Sequence, residues 1–194
     1  MGAKKIGILI EGDYYENEII YYNLRFAEEG FEVYYLSRLW GNPGHVMAGG
    51  FKGHEYRISF KEMITDNVRS FEKLSDADIK AFAAIIVPAG MVADRLRYTE
   101  DINKIPPASL FLKKIFQEKN VIKGIICHGM WLAAPVPEII RGRKAVVHNN
   151  LLGDLKNMGG IYVDSDVVVD NDLVTARTGG HCHLFARAII EHIG

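Results

Sequence analysis

The chain has 194 residues, 48% apolar and 24% charged, with a formal net charge of −1. That composition belongs to a soluble globular domain and advertises neither a basic nucleic-acid face nor an anionic-membrane ligand. The longest apolar runs, such as Ala83-Ala-Ile-Ile-Val87, are too short to span a bilayer, no signal-peptide pattern precedes the first strand, and two distant cysteines make no disulfide framework. One domain over residues 1–194 is expected, cytoplasmic, with no membrane or nucleic-acid partner.

In chain order, strand and helix alternate. Ile6-Gly-Ile-Leu-Ile10 reads as a buried strand, and a helical pattern then runs from about Asn17 to Glu29. Its apolar positions are Ile19, Ile20, Leu24 and Ala27, and Gly30 is the stop. Phe31–Leu36 alternates as a second strand, parallel to the first by a right-handed crossover. Trp40–Gly53 spells a loop or hairpin, with a short strand at Tyr56–Phe60 beyond it. Ser75-Asp-Ala-Asp-Ile79 is a helical turn leading into the strand Ala83–Val87. Ser109 is taken as the N-cap of a helix through Glu118. Arg141–Val147 is expected as a strand and Leu151–Met158 as a short helix. Ile161–Val163 and Val167–Val169 then meet Leu173–Arg177 across a turn at Asp170-Asn-Asp172, and a helix from about His183 to His192 closes the chain. Together these elements make a compact three-layer α/β domain.

The chain is organised around Val121-Ile-Lys-Gly-Ile-Ile-Cys-His-Gly-Met-Trp131. A short buried strand ends there, a helix begins near Gly129, and Cys127 and His128 occupy the sharp turn between them. Ligands of α/β sheets bind at the carboxyl ends of strands, and a helix start favours thiolate over thiol. Such a turn exposes a nucleophile, although a lone cysteine is also commonly buried and inert.

Four stretches together resemble the ThiJ/PfpI superfamily: Tyr15-Glu-Asn-Glu18, Val87-Pro-Ala-Gly90, Ile125-Ile-Cys-His-Gly129, and Val167-Val-Val-Asp170 with Val174-Thr-Ala-Arg177. His directly after Cys brings the chain closest to the PfpI branch. The resemblance implies a flavodoxin-like sandwich with a mostly parallel sheet and a nucleophile elbow. It implies Cys127 as nucleophile, Glu18 as the carboxyl that contacts its sulfur, and His128 as general base or acid. Glu18 could otherwise be an acid that complements a helix dipole. Asp94 matches the acidic residue that a neighbouring subunit presents to this histidine, which implies a homo-oligomer. Backbone N–H groups at Ala89, Gly90 and the elbow before Gly129 would form an oxyanion hole, and His148 would line the pocket.

Two features depart from the pattern. Thr178-Gly-Gly-His-Cys-His183 replaces a proline-bearing entry to the last helix. Its one-residue spacing rarely lets three side chains reach one ion, so a pocket-edge loop is expected and no metal. The insert from Arg38 to Gly53, with His45 and His54 in or beside it, is expected to form a lid or an oligomer contact. No Gly-x-Gly-x-x-Gly or Walker pattern follows a strand, so no cofactor is expected. An enzyme acting at a carbonyl through the Cys127 thiolate follows: a peptidase, a deglycase or a glyoxalase-like hydratase of 2-oxoaldehydes. Its substrate would be a small carbonyl compound, a glycated protein or a peptide. The alternative is a redox-stress sensor or holdase whose Cys127 is oxidised to the sulfinate.

Overall fold

The computed structural model describes residues 4–38 and 67–193. The insert beyond Arg38, His45, His54 and the strand expected at Tyr56–Phe60 lie outside the described residues.

The β1 strand (Lys5–Leu9) is followed by α1 (Glu16–Glu28), β2 (Glu32–Ser37), β3 (Val68–Ser70), α2 (Asp76–Lys80), β4 (Phe82–Val87), α3 (Val92–Leu96) and α4 (Pro107–Gln117). The second half runs through β5 (Ile122–Ile126), β6 (Lys144–Ala145), α5 (Leu152–Asn157), β7 (Ile161–Tyr162), β8 (Val167–Asp170), β9 (Leu173–Ala176) and α6 (Cys182–Ile193). Seven strands form one sheet in the order β3-β2-β1-β4-β5-β9-β8, parallel except for the β8–β9 hairpin. The order reverses between β1 and β4, and a crevice outside the carboxyl ends of strands forms at such a point.

Strands buried on both faces explain the unbroken apolar runs: Ile6, Ile8, Ile86 and Ile126 are fully buried. α1 packs through Ile19, Tyr22 and Phe26, while Leu24 is 67% exposed and Ala27 faces solvent. The expected stripe holds at Ile19 and is otherwise rotated, with Tyr22 and Phe26 in place of Leu24 and Ala27 on the core face. Gly30, at φ 80°, ends α1, with Phe31 N–H bonding Phe26 C=O and the two rings packed edge to face.

Four other expectations change. Ser109 is not a cap: Pro107 starts α4, and the buried Ser109 hydroxyl donates to Leu132 C=O at 2.8 Å. Arg141–Val147 contributes only Lys144–Ala145 as strand, which pairs with Ile161–Tyr162 in a separate two-stranded ribbon. Residues 161–163 thus do not join the β8–β9 hairpin. The segment after Cys127 is a 3-10 helix to Ala133, shorter in its dipole than the helix expected.

Candidate active site

Four chain segments meet at the carboxyl ends of β1, β4, β5 and β9. Cys127 directly follows β5 and holds φ at +57°, a conformation that costs a non-glycine residue about 1–3 kcal/mol. The next turn presses onto β4. A Cβ on Gly129 would lie 2.7 Å from Val87 O, so only glycine fits. Gly90 has φ +84°, and a Cβ there would meet Asp13 O at 2.7 Å; the loop after β4 is bridged to the loop after β1 through Tyr14 and Gly90.

A cleft of about 360 Å³ opens over the sulfur. Cys127, His128, His148, Ala89 and Gly90 line it, with Tyr15 and Thr178–Gly180 closing the sides. Cys127 Sγ lies 3.2 Å from His128 Nδ1, so the two adjacent side chains do face each other. The His128 ring stands edge-on to Trp131 and 4.5 Å from the His148 ring. Burial, with His148 close by, holds the His128 pKa below its ordinary value and keeps the ring a neutral acceptor. His148 Nδ1 accepts from Asn150 N–H at 3.2 Å, which leaves Nε2 as the ring's donor nitrogen.

Burial pushes the Cys127 thiol up, contrary to the low value that a helix start suggested. The backbone N–H groups of His128, Gly179 and Gly90 are aimed at the sulfur and pull in the opposite direction. An ionised Glu18 would raise the thiol further. Glu18, however, is fully buried, and desolvation pushes its pKa up to about 8, tempered by the Tyr22 hydroxyl and by Ala89 N–H. At neutral pH it is an acid. Its Oε2 accepts from Ala89 N–H at 2.8 Å, while Oε1 has no hydrogen-bond partner among the described residues.

That contact corrects one assignment. Ala89 N–H is engaged by Glu18 and does not face an oxyanion, whereas Gly179 N–H, which side-chain patterns cannot reveal, does face the sulfur. Asp94 sits exposed on α3 and is not among the residues that line the cleft within one chain. The second thiol, Cys182, is pushed up to about 11 by burial and by the Glu18 charge. No three His, Cys, Asp or Glu side chains among the described residues gather to hold one ion.

A mostly parallel sheet with a strained cysteine at the carboxyl end of β5, a histidine beside it and a buried glutamic acid nearby defines an α/β protein of the flavodoxin-like class. The chain belongs to the DJ-1/PfpI family, whose model matches residues 4–192. It is similar to "Deglycase PH1704" of Pyrococcus horikoshii, 26% identical over 96% of this chain and 98% of that one. It is also similar to "Protein/nucleic acid deglycase 2" of Escherichia coli, 28% identical over 99% of both. A two-domain protein of Anabaena variabilis with DJ-1/ThiJ/PfpI-like and ferritin-like domains superposes with a TM-score of 0.75 at 26% identity, covering 98% of this chain and 48% of that one.

The Escherichia coli relative's name is at odds with the expectation that nucleic acid plays no part. Net charge informs only on extended phosphate-binding faces. No described helix is long and apolar enough to cross a membrane.

Proposed function

We propose that the protein is a cysteine-dependent deglycase-type enzyme that acts on the carbonyl of 2-oxoaldehydes and of their adducts on protein or nucleotide amines. One observation carries this reading: Cys127 Sγ lies 3.2 Å from the imidazole Nδ1 of His128, and the backbone N–H groups of His128, Gly179 and Gly90 favour its thiolate. The thiol attacks the carbonyl carbon as His128 Nδ1 takes its proton. The oxygen gains negative charge while the N–H groups of Gly90, His128 and Gly179 offer hydrogen bonds. Glu18, neutral below about pH 8, can donate from Oε1 toward the sulfur or the new oxyanion. A peptidase, a deglycase and a glyoxalase share this first adduct, but the size of the cleft suits a small carbonyl group better than an extended peptide.

A panel of methylglyoxal, its adducts on lysine, arginine and guanosine, and short peptides tests the proposal. Turnover of carbonyl compounds that disappears in Cys127→Ala supports it; turnover of peptides alone overturns it. A second reading has one observation in its favour. The unpartnered acid proton of Glu18 would also hydrogen-bond a sulfinate on Cys127, as a peroxide sensor requires. Mild peroxide that yields a stable sulfinate together with new client binding would favour the sensor.

For assembly, we infer that Asp94 of a second copy orients His128. Asp94→Asn with undiminished activity at every protein dilution would sink that idea.

A further inference from the structure

The loop Thr178–His183 reaches the same cleft through Thr178, which is linked to two further polar side chains. His181 Nδ1 lies 3.0 Å from Thr178 Oγ1, and His181 Nε2 lies 3.5 Å from Asp166 Oδ1. Asp166 also faces Arg177 Nε at 3.8 Å, and its backbone C=O accepts Arg177 N–H at 3.0 Å. Thr178 itself lines the cleft that opens over Cys127.

The chemistry of the three groups sets a direction. A carboxylate beside Nε2 favours the tautomer with its proton there, which leaves Nδ1 as an acceptor. The only proton available between Nδ1 and Thr178 is then that of the hydroxyl. Thr178 O–H donates to His181, and its oxygen lone pairs are left for whatever occupies the cleft. Asp166 is 58% exposed, so it steadies the ring at the rim and does not build a buried charge.

We propose that Thr178 is a specificity-determining acceptor, oriented by His181 and Asp166, which receives an N–H or O–H carried on the carbon being attacked or on its neighbour. This rests on the carbonyl reading above and narrows it. The unhydrated 2-oxoaldehyde, the form open to attack at its aldehyde carbon, has no such donor. Its adduct on an amine has two, the hemiaminal hydroxyl and the N–H. The site therefore prefers glycated amines over the free aldehyde, and Thr178 and not Cys127 supplies that preference.

The experiment compares two substrates in one variant, so a general disturbance of the fold cancels. Initial rates are measured for methylglyoxal and for its adduct on N-acetyl-lysine, each corrected for spontaneous decay. In Thr178→Val the KM for the adduct should rise about tenfold more than the KM for methylglyoxal, the loss of one well-placed hydrogen bond. Thr178→Ser should restore the adduct's KM, and His181→Phe should lose part of the preference. The rate of Cys127 alkylation by iodoacetamide should be the same in all of them. Equal loss on both substrates, or loss on neither, overturns the proposal, as does a wild type that turns over methylglyoxal but not the adduct. A wild type inactive on every carbonyl compound brings down the proposed function itself, and this inference with it.

Discussion

Two buried ionisable groups lie at opposite ends of the same sheet, and they are treated in opposite ways. At the amino end of β5, the Lys123 side chain is 1% exposed, yet Nζ is bound by Asp172 at 2.7 Å and by Glu118 C=O. Asp172 is shared with Arg143, which also holds Asp170. Every charge there has a counter-charge. At the carboxyl end, Glu18 is just as buried and has no cation among its hydrogen-bonding partners. One oxygen takes Ala89 N–H and the other is left open. Burial at the first end fixes the β8–β9 turn against β5. Burial at the second raises a pKa and keeps a proton available beside a strained cysteine. A buried charge with its counter-charge serves the fold, whereas a buried acid that stays neutral is free to serve chemistry.

The largest effect that could break the comparison is on activity. Cys127→Ser should lower carbonyl turnover by more than about a thousandfold, because the hydroxyl is a far weaker nucleophile at neutral pH. Its melting temperature should stay near wild type. A large loss of stability with residual activity would mean that the elbow is structural.

The next test is at the other end. Lys123→Met leaves Asp172 with Arg143 as its remaining partner and should cost about 2 kcal/mol in chemical denaturation, less than a wholly orphaned buried charge. Steady-state kinetics should not change. Equal damage to stability and to kcat would show that the two ends are coupled, and the contrast would fail.

The last of these tests concerns pH. The folded-state pKa of Glu18 is raised from 4.5 to about 8, so between those values the folded chain holds a proton that the unfolded chain has released. Glu18 therefore makes the fold less stable as pH rises from 4.5 to 8. In Glu18→Gln that dependence is absent. The melting temperature of wild type minus that of the variant should fall steadily across this window. A difference that is flat, or that rises, would mean Glu18 is ionised in the fold.

The sheet end that serves structure and the cleft end were not equally legible in the sequence. Apolar runs such as Ala83–Val87 declared their strands, and Gly30 and the Asp170-Asn-Asp172 turn declared their breaks. The elbow was legible too, since an apolar strand closed by Cys-His-Gly leaves little else for the turn to do. The donors around the sulfur were not. Gly179 contributes only a backbone N–H, and which amide Glu18 would consume depends on how the loops after β1 and β4 are joined. Short elements were missed for a different reason: β3 and α3 span three and five residues, too few for a period to show. Thr178, His181 and Asp166 come from two segments that only the β8–β9 hairpin brings together.

The central claim is that Glu18 keeps its proton and supports the Cys127 thiolate. It is tested most directly by following iodoacetamide alkylation of Cys127 against pH, in a Cys182→Ser background so that only one thiol reacts. Below about pH 8, where Glu18 holds its proton, the rate should fall from wild type to Glu18→Gln and again to Glu18→Leu, as the acid donor is first weakened and then removed. A rate unchanged in Glu18→Leu would make Glu18 a bystander. A rate that rises there would show that Glu18 carries a charge beside the sulfur, which contradicts its place as the proton holder of the site.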